Sequence, residues 1–180
     1  MISLHILFFF LILLFVIIGA ARGAAREIVV IFSVVLALFI TTLLEHRAPL
    51  ISGLLKNSEN QTLLLWIRIF ILVPMVYLGY LPPKISRLES KQIITSSDAL
   101  ETIFGFLLGC INGYLIFGTI WYYIHVAGYP FNDIIAPPPD SSVAQWIDKW
   151  LPLLPPNFLG EPAIYFAVAV VFTIVMAVFI

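Results

Sequence analysis

Residues 2–44 read ISLHILFFFLILLFVIIGAARGAAREIVVIFSVVLALFITTLL. Two apolar runs, 2–21 and 28–44, flank one short charged stretch, 22–27. A helix that crosses the hydrocarbon core needs about 20 mainly apolar residues at 1.5 Å rise each. The first run has 20 residues and the second 17. Lipid offers backbone N–H and C=O groups no partners, so a crossing segment is helical unless the chain closes as a barrel. The runs are continuously apolar and lack the alternation of a barrel strand, which excludes that alternative. No Lys or Arg precedes the first run, and its apolar part exceeds a signal-peptide core, so it is expected to be a retained anchor.

Outward from this stretch, three more apolar runs qualify, 62–81, 102–124 and 162–180, and together the five take up more than half of the 180 residues. Composition agrees: 62% of residues are hydrophobic and 11% charged, whereas soluble domains average roughly 45–50% and 25%. The expected fold is an all-α integral membrane protein, with a four-span helical core and a fifth, C-terminal span. Its expected organisation is a membrane core over 1–124, a Pro-rich extracytoplasmic loop over 125–161 and a fifth transmembrane helix over 162–180. The formal net charge is -1, so the basic surface that nucleic-acid binding requires is absent. The single cysteine, Cys110, has no partner for an internal disulfide.

The connections differ in kind. The first, 22–27, is six residues long and contains Gly23, whose freedom to take a positive φ predicts a tight antiparallel hairpin. Pro82 and Pro83 stop the third span. Ser96, Ser97 and Asp98 supply capping oxygens for the start of the fourth, where Asp98 and Glu101 also suit the helix dipole. Within the Pro-rich loop, Val143, Trp146, Ile147, Trp150 and Leu151 recur at helical spacing opposite Ser142, Gln145, Asp148 and Lys149. That pattern predicts a short amphipathic helix lying in the membrane interface. Five Lys and Arg fall on the side of the first and third connections and three on the other. The positive-inside tendency then places the N-terminus outside and the C-terminus inside.

Few residues carry chemistry. Arg22 and Arg26, four apart, share a face if the segment continues helically, and there they would meet lipid headgroups or a partner carboxylate. Gly105, Gly109 and Gly113 form a flat stripe on the fourth span for close helix packing, with Gly118 beyond. Asn112 lies beside the stripe near mid-span and is expected to bond across to another helix, because an unpaired amide in lipid is costly. Arg68 sits near the outer end of the third span, from which its stem can snorkel outward, and Pro74 is expected to bend that helix. His5, His46 and His125, with Glu45, lack any local ligand spacing, so no metal site is assigned. No phosphate loop, nucleophile elbow, zinc-protease motif or cysteine pair occurs, and neither an enzyme nor a cofactor is expected.

The order of these features resembles the colicin V production protein family (CvpA-like): a retained first span, Arg22-Gly23-x-x-Arg26-Glu27, a second span, then Glu101 four residues before Gly105, Gly109 and Gly113. The resemblance covers roughly residues 2–124. Members of the family often carry a basic residue where this chain has Asn112, and the family core has four spans. The resemblance implies a multi-pass protein of the bacterial inner membrane, linked in some members to colicin secretion and envelope homeostasis. The Arg22–Glu27 motif, with Arg22, Gly23, Arg26 and Glu27, is itself expected to be a contact for a partner or for lipid headgroups. The expected partners are the lipid bilayer and other membrane proteins or further copies of the chain. The expected role is a non-enzymatic scaffold or accessory subunit in export or envelope maintenance; the alternative is a small oligomeric transporter or channel.

Overall fold

A computed structural model describes residues 4–48, 53, 60–81, 97–130 and 142–179. Its described residues form seven α-helices and no strand: α1 Leu4–Arg22, α2 Ala24–Arg47, α3 Gln61–Tyr80, α4 Ser97–Val126, α5 Ser142–Trp150, α6 Pro155–Phe158 and α7 Ala163–Phe179. A 3-10 turn, Leu151–Leu153, joins α5 to α6. Helices α2 and α3 and the part of α4 from Ala99 to Val126 are long and apolar enough to cross a membrane. The apolar stretches Ile6–Arg22 and Ala163–Val178 are shorter.

Lipid provides no hydrophobic force between helices, so packing here depends on close approach and on polar contacts. Helix α2 is the centre. Its Val30, Val34 and Ala37 meet Leu72 of α3 and Leu115 and Ile116 of α4 in one buried cluster. A second cluster joins its Val35 and Leu38 to Leu65, Tyr123, Ile124 and Ile164. Ile164 brings in α7, which runs antiparallel to α2, with Phe172 against Phe32 and Tyr165 against Phe39. Gly79 of α3 lets that helix approach α2 closely, since a Cβ there would lie 2.6 Å from Ser33 Oγ. The outward faces remain apolar. Phe10 of α1, Phe70 of α3 and Phe166 of α7 are all more than half exposed, as a lipid-facing surface requires.

Helix α1 lies antiparallel along α4 and meets α2 only slightly. The glycine stripe makes this seam. A Cβ on Gly19 would sit 2.6 Å from Gly109 Cα, one on Gly109 3.0 Å from Gly19 Cα, and one on Gly113 3.0 Å from Ile12 Cα. Gly118 faces away from this seam, toward Pro155 of α6. Beyond the glycines the same seam continues through Phe8, whose ring packs edge-on to Trp121 at 5.1 Å.

Several expectations change. The first connection is one residue, Gly23, and not six, because both flanking helices run on into the charged segment. Its φ of 85° is the left-handed conformation that glycine adopts without the penalty a Cβ brings. The hairpin's two helices do not pack closely on each other; α1 takes α4 instead. Helix α4 begins at Ser97, before the expected 102–124 span, while Ser96 and the side chain of Asp98 lie outside the described residues. The amphipathic helix forms as α5, and its Ile147 is buried against Phe8, Trp121 and Leu154. The side chains of Val143 and Trp146 lie outside the described residues.

The seam yields a graded prediction. Gly109→Leu inserts a branched side chain where backbones touch, an overpacking that costs about 1–3 kcal/mol. Gly109→Ala adds one methyl and costs less, whereas Leu107→Ala, at an exposed position, changes little. Thermal unfolding of the detergent-purified variants should rank wild type above Ala above Leu. Equal melting of wild type and Gly109→Leu would show that the seam is not a packed contact.

Candidate functional site

The charged hairpin turn folds inward. Gly23 reverses the chain at the level of Gly105 of α4, where a Cβ on Gly105 would lie 3.2 Å from Gly23 Cα. This carries Arg22, the last residue of α1, over the end of α3 and places Glu27 in the first turn of α2. Glu27 is fully buried. An isolated carboxylate would not remain charged there, so it must be paired and hydrogen-bonded. Arg22 Nη1 donates to Glu27 Oε1 at 2.7 Å, and Asn112 Nδ2 donates to Glu27 Oε2 at 2.7 Å and to the Glu27 carbonyl at 3.0 Å. A carboxylate only accepts hydrogen bonds, so chemistry fixes the Asn112 amide with its nitrogen toward Glu27.

Tyr80 completes the cluster. The Arg22 guanidinium lies 4.3 Å from the centre of the Tyr80 ring, and its Nη2 donates to the Tyr80 carbonyl at 3.3 Å. Stacking of a cation on an aromatic face, with a hydrogen bond to the last carbonyls of a helix, suits the negative end of α3. The network thus links α1, α2, α3 and α4 through one carboxylate. Two buried atoms in it, Asn112 Oδ1 and the Tyr80 hydroxyl, have no hydrogen-bond partner among the described residues.

The arrangement separates residues that the sequence placed together. Arg22 and Arg26 do not share a helix face: the break at Gly23 puts Arg22 in the protein and leaves Arg26 exposed. Glu101 is exposed on α4 but folds back on the turn, 2.9 Å from where a Cβ on Gly23 would stand. Asn112 lies seven residues beyond Gly105, about 10 Å deeper than the turn at 1.5 Å per residue.

A second, partly buried ion pair lies at the other end of α2. Arg68 does not snorkel; it is buried, and its Nε donates to Glu45 Oε1 at 2.7 Å. Its guanidinium stands 5.2 Å from the centre of the Tyr123 ring. A cavity of about 150 Å³ adjoins the pair, with Thr41, His46, Tyr122 and Glu161 in its wall. Glu45 and Tyr80 are the partners that sequence reading missed. The signal for Glu45 was the presence of an arginine within an apolar span, which calls for a counter-ion; Tyr80 left no such mark. Histidines do not converge: His46 Nδ1 contacts the Thr42 carbonyl at 3.0 Å, and His125 Nδ1 the Tyr129 hydroxyl at 3.2 Å. The side chain of His5 lies outside the described residues. Among those described, no three His, Cys, Asp or Glu are placed to hold a metal.

The family model for the colicin V production protein matches residues 4–152, which takes in the hairpin, the glycine seam and Asn112. The chain belongs to the colicin V production protein family. The match reaches past residue 124 to the end of α5, so the segment that covers Phe8 and Trp121 lies within the family region, whereas α6 and α7 follow it. Together with the apolar helices, membership makes this a multi-pass membrane protein. No curated protein and no solved structure matches the chain.

The network predicts unequal and coupled mutational costs. Removing one member of a buried pair strands the other, so Glu27→Ala should cost about 3–5 kcal/mol. Asn112→Leu removes hydrogen bonds to a charged group and should cost about 1.5–3 kcal/mol. The double variant should cost less than the sum, because both changes break the same contact. Unfolding in a denaturing detergent series measures all three, and strict additivity would show that Asn112 and Glu27 do not act together.

Proposed function

We propose that this family member is a non-enzymatic scaffold or accessory subunit of the bacterial inner membrane, supporting export or envelope maintenance. The observation that carries this reading is the internal use of the intramembrane charges. Glu27 is taken up by Arg22 and Asn112, and Arg68 by Glu45, while the face of α4 that carries glycines is closed by α1. Polar groups on a permeation path are expected to face water or a solute; these face one another. What the hairpin presents outward is Arg26 with Glu101, and this mouth is the contact surface. In this reading α7 is a fifth span, the N-terminus and the Pro-rich segment are outside, and the α1–α2 turn and the C-terminus face the cytoplasm, as the five-to-three count of Lys and Arg favours.

A small oligomeric transporter or channel is the rival, favoured by the cavity beside Arg68 and Glu45. Reconstituted liposomes separate the two. The scaffold reading expects solute leakage no greater than that of protein-free vesicles. Saturable flux that rises with protein content and disappears in Arg68→Gln would overturn it.

Orientation is tested by labelling in intact cells, in a Cys110→Ala background. Cysteine at Asp148, an exposed residue of α5, should react with an impermeant thiol reagent from outside, and cysteine at Ala99, exposed at the start of α4, should react only after the membrane is opened. The reverse pattern overturns the orientation.

A further inference from the structure

The buried network leaves one place at the hairpin unused. A hollow of about 310 Å³ opens beside the turn, with Arg22, Arg26, Glu101 and Thr102 on its walls and Ala21, Gly23 and Ala25 among the small residues between them. Arg22 is neutralised by Glu27 at 2.7 Å. Arg26 and Glu101 are exposed, and among the described residues neither makes a hydrogen bond or an ion pair. One free cation and one free anion therefore border the same depression. It lies at the charged end of helices whose remaining outward faces are apolar, the end that a spanning bundle sets among lipid headgroups.

We propose that this hollow binds the phosphoethanolamine headgroup of a phospholipid, with the phosphate on Arg26 and the primary ammonium on Glu101. The proposal rests on the reading of the hairpin mouth as a contact surface and names what it contacts. The charge pair decides the headgroup. An anionic headgroup without an ammonium satisfies Arg26 but sets a second negative charge beside Glu101. A quaternary ammonium balances Glu101 in charge but has no N–H to donate. Only a headgroup with a phosphate and a primary ammonium gives both side chains charge-assisted hydrogen bonds. Small side chains at Ala21, Gly23 and Ala25 leave room for the headgroup between them.

Native mass spectrometry of the full chain in detergent, titrated with phosphatidylethanolamine, phosphatidylcholine and phosphatidylglycerol of identical acyl chains, tests this. Phosphatidylethanolamine should bind about threefold to tenfold more tightly than either of the others. Arg26→Gln should weaken all three lipids. Glu101→Gln should remove the preference for ethanolamine over choline while leaving phosphatidylglycerol binding intact or stronger. Both residues are exposed, and unchanged thermal unfolding of each variant shows that the fold is kept. Equal affinity for the three lipids, or a preference for ethanolamine that survives Glu101→Gln, overturns the proposal. Displacement of the lipid by soluble glycerophosphoethanolamine at equal free concentration overturns the assignment to a lipid and assigns the hollow to a free phosphodiester. None of these readings depends on solute flux, so the scaffold reading and the lipid site fail separately.

Discussion

Burial of the Glu27 carboxylate is the constraint around which the bundle is arranged. A lone carboxylate at this depth would be neutralised, or the helix that carries it would shift until water reached it. Here it stays because Arg22 comes to it from α1 and Asn112 from α4. Each partner must be delivered by its own helix, so the requirement of one side chain fixes where two other helices lie. Tyr80 then fixes a third, since its ring and carbonyl both receive the Arg22 guanidinium. A hydrophobic core in water tolerates many arrangements of similar volume; in lipid, where apolar contact discriminates little, this cluster supplies specificity that apolar packing does not.

The glycine seam and the ion cluster depend on each other. Gly19, Gly105 and Gly109 let two backbones approach until they touch, which holds α1 antiparallel on α4 and brings its last residue to the α1–α2 turn. Gly23 then reverses the chain in one residue. With a longer connection Arg22 would lie farther from Glu27, five residues ahead, and its charge would be free for the surface. The short turn explains why only Arg26 of the two motif arginines remains outward.

Helix α2 carries an acid near each end, Glu27 and Glu45, and each is paired to an arginine from a different neighbour. Eighteen residues of helix separate them, about 27 Å at 1.5 Å per residue, close to the roughly 30 Å of a hydrocarbon core. Both ion pairs thus sit where apolar surroundings begin, and the α2 stretch between them buries Val30, Val34, Val35, Ala37 and Leu38 with only the hydroxyls of Ser33 and Thr41. Those hydroxyls are satisfied within their own helix, by the carbonyls of Val29 and Ala37. The spacing is compatible with a span whose interior is apolar and whose charges mark its borders. Helix α7 packs along this same apolar stretch.

The sequence alone determined that the chain is a set of apolar helices, where most of them lie, that the Gly105 stripe is a surface for close approach, and which family motif is present. Each of these follows from local composition or from a period along one helix, and both are visible in one dimension. Only the tertiary structure decided which helix fills the stripe, that Arg22 turns inward while Arg26 does not, that Arg68 is paired with Glu45, and that Ile147 of α5 packs against Phe8 and Trp121. These outcomes depend on which helix neighbours which. In lipid many apolar faces are equivalent partners, so hydrophobicity cannot rank them, and the choice falls to a few polar and small residues far apart in the chain, such as Glu27 and Asn112, that meet only once the bundle has formed.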